Sequence, residues 1–416
     1  MKYLQRTVES EIQAKLNASG AILIRGPKSC GKTETARRFA KSELQVDKDK
    51  QVKILMSINP EELLKGETPR LIDEWQIEPT LWNFVRHEVD DRKKKGQFIL
   101  TGSANPNEDV NLHSGAGRFT ICDMQTLSWQ ELGISSGKAS IKQLLNGNTV
   151  DFEKTDMNLD EIIEHIIRGG WPSLIGVSAE ESILVNRGYM ELLTEVDMSR
   201  VSDIKRDPQK VRSVLKSLSR NVSTLADNTT ISKDIKEKED IYVSRPTVIE
   251  YLDTLQRLMI LDEQPAFSTN IRSTIPMRKS SKRHLCDVSL AVASLGLNRN
   301  ALKKDLPLLG YLFESLVYHE LKAYAKANDA SVFHYRDAKD KEVDAIVQTH
   351  AGKWLAFEVK LGAGMVDQAA KNLLDFSNSI DIKNNMPVSL NIITGTGMTY
   401  TRPDGVNVIS LASLGV

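Results

Sequence analysis

The run Gly26-Pro-Lys-Ser-Cys-Gly31-Lys32-Thr33 constrains this chain more than any other feature, because it fits G-x-x-x-x-G-K-[ST] at every fixed position. An apolar strand, Ala21 to Ile24, precedes it, and a helix that keeps Ala36, Phe39 and Ala40 on one side follows. Glycines let a backbone wrap closely round an anion, and the turn amides with the helix N-terminus behind them cradle phosphate groups. Gly26, Pro27, Lys28, Ser29, Cys30, Gly31 and Lys32 are therefore candidate nucleotide contacts, with Lys32 reaching the β- and γ-phosphates and Thr33 ligating Mg²⁺. The alternative is an ordinary glycine-rich turn; the strand before the motif and the helix after it are the context that separates the two.

At 416 residues the chain exceeds what one hydrophobic core supports, so two to four domains are expected. Lys plus Arg and Asp plus Glu are both 55, so no global basic field advertises a nucleic-acid partner, and local patches would have to hold one. Cys30, Cys122 and Cys286 are odd in number and far apart, which fits reduced thiols and a cytoplasmic location. The opening "MKYLQRTVES" lacks the apolar centre of a signal peptide, and "VSLAVASLGL" is too short to span a bilayer, so no membrane partner is expected.

An ATPase also needs acids beside Mg²⁺. "RLIDEWQ" offers Asp73 to hold the metal and Glu74 to polarise an attacking water, although Asp-Glu also ends many strands at exposed turns. "QFILTGSAN" reads as a buried strand ending in Thr101, Ser103 and Asn105, polar groups suited to sensing a γ-phosphate or simply to turning the chain. Arg118 follows a Gly-x-Gly bend, where it either stabilises charge on a transferring phosphoryl group or is a solvated loop arginine.

From about Asn158, helical spacing of apolar residues broken by Gly169-Gly170-Trp171-Pro172 predicts a helical lid. Between Arg200 and Arg220 stand seven Lys or Arg, including Lys210, the first local basic excess. "VRSVLKSLSRNVS", "ISKDIKE" and "SRPTVIEYLDTLQRLM" then follow the helix order of a winged helix, with "ILDEQPAF" returning through "KRHLCDVSLAVA" as the wing. Arg272, Arg278, Lys279, Lys282 and Arg283 suit DNA phosphates, although such modules also serve as plain packing units between domains.

"KEVDAIVQ" and "KWLAFEVKL" read as antiparallel strands about a turn centred on Ala351, which sets Asp344 opposite Glu358. Directly opposed like charges weaken a strand pair by up to ~1 kcal/mol, and a divalent cation between them reverses that sign.

"GPKSCGKTETA", "LIDEWQ", "FILTGSAN", "GAGRF", "TLSWQEL", "RGGWPSL" and "ELLTEVD" together resemble prokaryotic AAA-type P-loop ATPases whose C-terminal half is a winged helix plus a restriction-endonuclease-like region. Asp344, Glu358 and Lys360 resemble the PD-(D/E)XK nuclease core, which implies two metal-holding acids and a lysine that positions water; Glu314 on the preceding helix matches a third acid, and Gln368 is placed to assist. The expected fold is α/β: residues 1–150 a P-loop ATPase core with a parallel sheet, 151–204 a helical lid, 205–300 a winged-helix-like domain, and 301–416 a small nuclease-like α/β domain. The expected function is binding and hydrolysis of ATP with Mg²⁺, coupled to DNA binding and Mg²⁺- or Mn²⁺-dependent DNA cleavage, in a chain that forms a homo-oligomer. The alternative is a nucleotide-dependent regulatory switch whose nuclease-like domain is a non-catalytic module for binding DNA or protein.

Overall fold

A computed structural model describes residues 3–103, 114–200, 206–268, 280–337, 341–379 and 386–416. Its N-terminal part is built on five parallel strands, β1 (Ala21–Arg25), β2 (Ser42–Gln45), β3 (Arg70–Asp73), β4 (Phe98–Gly102) and β5 (Phe119–Asp123). They lie in the order β2-β3-β4-β1-β5. Strand β4 is buried throughout and β1 nearly so, because helices cover both faces of the sheet. Ala21 and Leu23 of β1 pack with Leu81, Val85 and Val89 of the helix Leu81–Arg92 on one face. Ile22 and Ile24 pack with Ile12 and Leu16 of the helix Glu9–Ala18 on the other. The order leaves β1 and β3 separated by β4, so the loop leaving β1 opens into a crevice at the carboxyl ends of the strands, where α/β sheets bind ligands.

The chain then leaves this sheet. Strands β6 (Ala139–Ser140) and β7 (Glu153–Lys154) pair with strands of the C-terminal region, so the expected boundary at 150 runs through a shared segment. Helices Leu159–Arg168 and Ala179–Leu192 follow, each opened by a capping box, Asn158 with Glu161 and Ser178 with Glu181. Ile162, Ile163, Ile166 and Ile167 are the buried face of the first. One turn of π-helix, Leu193–Asp197, continues the second.

Three helices, Pro208–Arg220, Asn228–Glu239 and Arg245–Arg257, come next, N-capped by Asp207, Asp227 and Ser244. An antiparallel hairpin of β8 (Leu261–Gln264) and β9 (Lys282–Leu285) completes this unit. The apolar run from Val288 differs from the expected wing strand: Asp287 caps it as a buried helix, Val288–Leu295.

The helix Leu306–Ala327 leads into a seven-stranded mixed sheet. Its strands are β10 (Ala330–Arg336), β11 (Glu342–Thr349), β12 (Trp354–Lys360), β13 (Ser389–Thr394), β14 (Met398–Thr401), β15 (Asn407–Ser410) and the borrowed β7, with β16 (Leu414–Gly415) pairing β6 beside them. Strands β10, β11 and β12 are antiparallel neighbours, and β12, β13 and β15 run parallel. The helix Val366–Ser379 joins β12 to β13 and packs Ala369, Leu373 and Phe376 against one face. The other face shares a continuous core with the lid and the three-helix unit.

The joint between the N-terminal sheet, the lid and the helix Leu306–Ala327 is polar and buried. Asp287 Oδ2 accepts from Thr126 Oγ1 at 2.7 Å and from Gly170 N at 2.9 Å, while Oδ1 accepts from Ser289 N at 3.0 Å. Thr126 is also 2.9 Å from His319 Nε2, His319 is bonded to Glu320, and Glu320 accepts from Trp129 N at 2.8 Å and Tyr324 OH at 2.5 Å. Burial works to lower the His319 pKa, but the hydrogen bond and charge of Glu320 outweigh it and hold the imidazole above its ordinary value.

Leu127 N donates to Gly170 O at 2.7 Å, and a Cβ on Gly170 would fall 2.1 Å from Leu127 O. Gly170→Ala should therefore destabilise the protein by about 1–3 kcal/mol, as overpacking does in a close-packed core. A denaturant unfolding curve checks this; an unchanged midpoint would show that the lid docks more loosely.

Candidate functional site

Crossing from β1 into the helix Lys32–Arg37 takes the loop through left-handed backbone at Ser29, φ 64°, and Gly31, φ 100°. Gly26 is required by space, since a Cβ there would meet Met124 O at 2.2 Å. The Lys32 ammonium is buried against the loop itself, donating to Gly26 O at 3.0 Å and Pro27 O at 2.8 Å. Arg6 ties the loop to the rest of the core: it donates to Cys30 O at 2.9 Å and Gln125 O at 2.7 Å, and pairs with Glu131 at 3.2 Å. Lys28 turns its side chain the other way and pairs with Asp197 of the π-turn at 2.6 Å, so one residue of the loop reaches the lid.

Thr33 Oγ1 donates to Asp73 Oδ1 at 2.8 Å, and Thr101 Oγ1 donates to the same oxygen. The β3–β4 register sets Asp73 beside Thr101, which is how residues far apart in sequence meet. A hydroxyl and a nearly buried carboxylate in contact beside the phosphate loop are the donor set that Mg²⁺ takes in such sites, so these residues fit the ion with its nucleotide.

Glu74 follows in left-handed backbone, φ 56° and ψ 41°, a conformation that strains a glutamate and that surroundings must enforce. Gln76 Nε2 donates to Glu74 Oε2 and lies 3.4 Å from Ser103 Oγ, linking three polar groups across β3 and β4. Gly102 makes room for this, because a Cβ there would come 2.8 Å from Gln76 Oε1. Asn105 lies outside the described residues.

Arg118 stands away from the phosphate loop of its own chain. Its carbonyl accepts from Ala21 N at 3.1 Å, at the start of β1, whereas the loop follows the other end of that five-residue strand. That separation is on the order of 15 Å. Arg118 pairs instead with Asp90 at 2.9 Å and cannot touch phosphates held by its own chain.

Beside the loop opens a cavity of about 310 Å³, lined by Tyr3, Leu4, Arg6, Gly31, Glu34, Thr35, Leu127, Pro172 and Ile175. It brings the N-terminal segment, the loop helix and the lid's Gly-Gly-Trp-Pro turn to one place.

The second constellation lies on the C-terminal sheet. The β11–β12 ladder pairs Ala345 with Phe357 and Gln348 with Trp354, the register of a turn centred on Ala351. Asp344 Oδ2 accepts from Val359 N at 2.8 Å and from Lys360 Nζ at 3.3 Å, and Lys360 also reaches Glu358 at 2.7 Å. Glu314 is brought to the same end by the helix Leu306–Ala327, while Gln368 is exposed and bonded to Asn372. Lys282 of β9 enters this cluster: its ammonium is 2.7 Å from Glu314, 2.8 Å from Glu342 and 3.8 Å from Asp344.

Burial pushes Glu358 up to about 8, helped by the charge of Asp344. Burial likewise raises Glu314 to about 7, with Lys282 opposing. Burial also opposes the Lys282 and Lys360 ammonium groups, yet the neighbouring carboxylates outweigh it and hold both pKa values above the ordinary lysine range. Among the described residues, no three His, Cys, Asp or Glu side chains come together as a metal-holding set. Lys282 and Lys360 lie among Glu314, Asp344 and Glu358.

Several basic residues of this region are also held in ion pairs. Arg283 pairs with Glu263 at 3.4 Å and donates to Ala226 O and Asn228. Arg206 pairs with Glu250 at 3.0 Å, Lys216 with Glu239 at 3.8 Å, and Arg220 with Asp234 at 2.7 Å. Arg272, Arg278 and Lys279 lie outside the described residues. All three cysteines are free and buried, and no helix among the described residues is long and apolar enough to cross a membrane.

Residues 18–133 match the family described as AAA domain. The match spans the five-stranded parallel sheet and its phosphate loop, a P-loop NTPase fold. Residues 159–301 match a family described as Domain of unknown function (DUF8612), and residues 309–414 match Domain of unknown function (DUF4143). No curated protein matches the chain. Among solved structures, the Aeropyrum pernix Orc1 protein in complex with DNA is 13% identical, over 75% of this chain and 95% of that one, with a TM-score of 0.22. A DNA replication initiation factor is 15% identical, over 60% of this chain and 86% of that one, with a TM-score of 0.24.

The sequence reading missed Arg6, Gln76 and Asp197, and it gave Lys282 to DNA phosphates rather than to the carboxylate cluster. Gln76 stands two residues past Glu74 in a motif already singled out, a signal within reach. The other three act through contacts too distant along the chain for spacing to show.

The raised Glu358 carboxyl makes a pH prediction. The folded state holds this proton up to about pH 8, whereas an unfolded glutamate releases it near its ordinary value of about 4.3. Between those values the folded state binds more protons, so this group's contribution to stability falls as pH rises. Denaturant midpoints at pH 5 and pH 8 should differ less in Glu358→Gln than in the parent. An equal difference in both proteins would mean that Glu358 titrates normally.

Proposed function

We propose that this chain is an ATP-binding and ATP-hydrolysing switch whose nucleotide state is read by the lid, the three-helix unit and the C-terminal sheet. The observation that carries this reading is the meeting of Thr33, Asp73 and Thr101 beside the phosphate loop, with Glu74 and Gln76 next to them. Lys32 and the loop amides bind the phosphates, Thr33 and Asp73 hold magnesium, and the base fills the cavity between Tyr3 and Pro172. Magnesium supplies neutralisation of the charge that builds on the phosphates during transfer. Glu74 accepts the proton of the attacking water, and Gln76 fixes the direction of that carboxylate. The pair of Lys28 with Asp197 gives the loop a handle on the lid, so a change in the loop's conformation alters a contact that the lid depends on.

Lys32→Ala should abolish ATP binding, while Glu74→Gln should keep ATP bound and lower the hydrolysis rate by roughly 10²–10⁴, the contribution of a general base. Nucleotide-binding titrations and single-turnover hydrolysis check both; normal turnover in Glu74→Gln moves the proton-accepting role elsewhere.

A second reading, ATP-dependent DNA processing with Mg²⁺- or Mn²⁺-dependent cleavage, is favoured by the meeting of Asp344, Glu358 and Lys360 on β11 and β12. The order helix, three antiparallel strands, helix, parallel strand over Leu306–Thr394 supports a nuclease-like fold, and three helices before the β8–β9 hairpin support a winged helix. Both units also serve as binding modules without chemistry. Pure protein incubated with single-stranded, double-stranded and branched DNA, with Mg²⁺ or Mn²⁺ and with or without ATP, separates the readings on one gel. The switch reading expects no cleavage; products that vanish in Asp344→Asn would establish the second.

A further inference from the structure

Lys282 is the feature of the C-terminal constellation that neither reading above uses. It belongs to the β8–β9 hairpin, a different unit from the acids it meets. The hairpin is fixed there by Gln264, the strand partner of Lys282, which donates to Asp344 O and to Phe333 O, both at 2.9 Å. The Lys282 side chain is 2% exposed, and its Nζ faces Glu314 at 2.7 Å, Glu342 at 2.8 Å and Asp344 at 3.8 Å. An ammonium has three donors, and here three carboxylates stand around it. A buried ammonium is stable only when paired, and a buried carboxylate likewise, so the hairpin and the sheet each complete the other.

We propose that the Lys282 ammonium is the resident cation of this site, standing where a divalent ion would otherwise bridge Glu314 and Asp344. Hard divalent cations bind carboxylate oxygens at about 2.0–2.6 Å. An ion shared by Glu314 and Asp344 would therefore press against Nζ, and two positive centres in that space repel each other with little water between them. The C-terminal sheet is then a socket for the hairpin. Its acids hold a neighbouring unit in place through charge, and divalent metal enters only when Lys282 is gone. The inference bears on the cleavage reading and leaves the ATPase reading untouched.

Mn²⁺ titration of nucleotide-free protein, with free ion followed by its paramagnetic resonance signal, tests this. The parent and Asp344→Asn should bind Mn²⁺ identically. Lys282→Met, similar in length but uncharged, should gain one Mn²⁺ per chain, at least tenfold tighter than any in the parent, and Lys282→Met with Asp344→Asn should lose it. Cooperative melting and nucleotide binding at the phosphate loop report whether each variant is folded. Should Lys282→Met alone fail to fold, Lys282→Met with Glu342→Gln must fold and bind the ion, since it also removes a charge that the lysine balances. Parent binding that Asp344→Asn abolishes, a folded Lys282→Met that gains no ion, or failure of the charge-compensated variant to fold would each overturn the proposal.

Discussion

Much of this molecule depends on where Asp287 puts its two oxygens. They accept hydrogen bonds from the core through Thr126, from the lid through Gly170, and from its own helix through Ser289. A buried carboxylate is costly unless its lone pairs are satisfied, so this residue leaves the elements little freedom to slide past one another. Through Thr126 the same network runs to His319 and Glu320, and so to Trp129 of the segment leaving β5. Its polarity also specifies one arrangement, where an apolar joint of equal area would tolerate several.

That joint explains why the nucleotide site and the C-terminal sheet sit in one body although different stretches of chain build them. Arg6, the phosphate loop and Glu131 form a second strap on the core side, and Glu131 lies two residues from Trp129. Rearrangement of the loop thus has two polar routes outward, one through Arg6 toward the C-terminal helix and one through Lys28 to the π-turn. Extra residues in a helix, as at Leu193–Asp197, are common where function needs a local adjustment of geometry.

The sequence made the local pieces legible because their causes are local. The phosphate loop is contiguous, and its glycines and lysine have fixed tasks within eight residues. The hairpin register follows from a single turn, and Ser244 with Pro246 sets a helix start by capping alone. What could not be read depends on distant contacts. Arg118 beside its glycines reads as a charge-stabilising or a solvated loop arginine, and parallel pairing of β5 with β1 puts it at the foot of the sheet. Lys282 looks like one of a basic run, but β9 carries it into a carboxylate cluster. "VSLAVA" has the composition of a strand, and only Asp287 and the surrounding helices make it a helix. Charge counted along a chain says little about charge presented at a surface, and the inward pairing of Arg206, Arg220 and Arg283 is an instance.

The exchange of strands between the two ends has a consequence for synthesis. Strands β6 and β7 directly follow the N-terminal sheet, yet their partners, β16 and β14, lie far later in the chain. Until those segments emerge from the ribosome, both short strands present unpaired edges and the Trp129 amide lacks the Glu320 carboxylate. The N-terminal sheet can form early from near neighbours, but its junction must wait for the rest of the chain. Nascent molecules therefore pass through a period in which the phosphate loop exists while the joint behind it does not, and in that interval their unpaired edges are open to other chains.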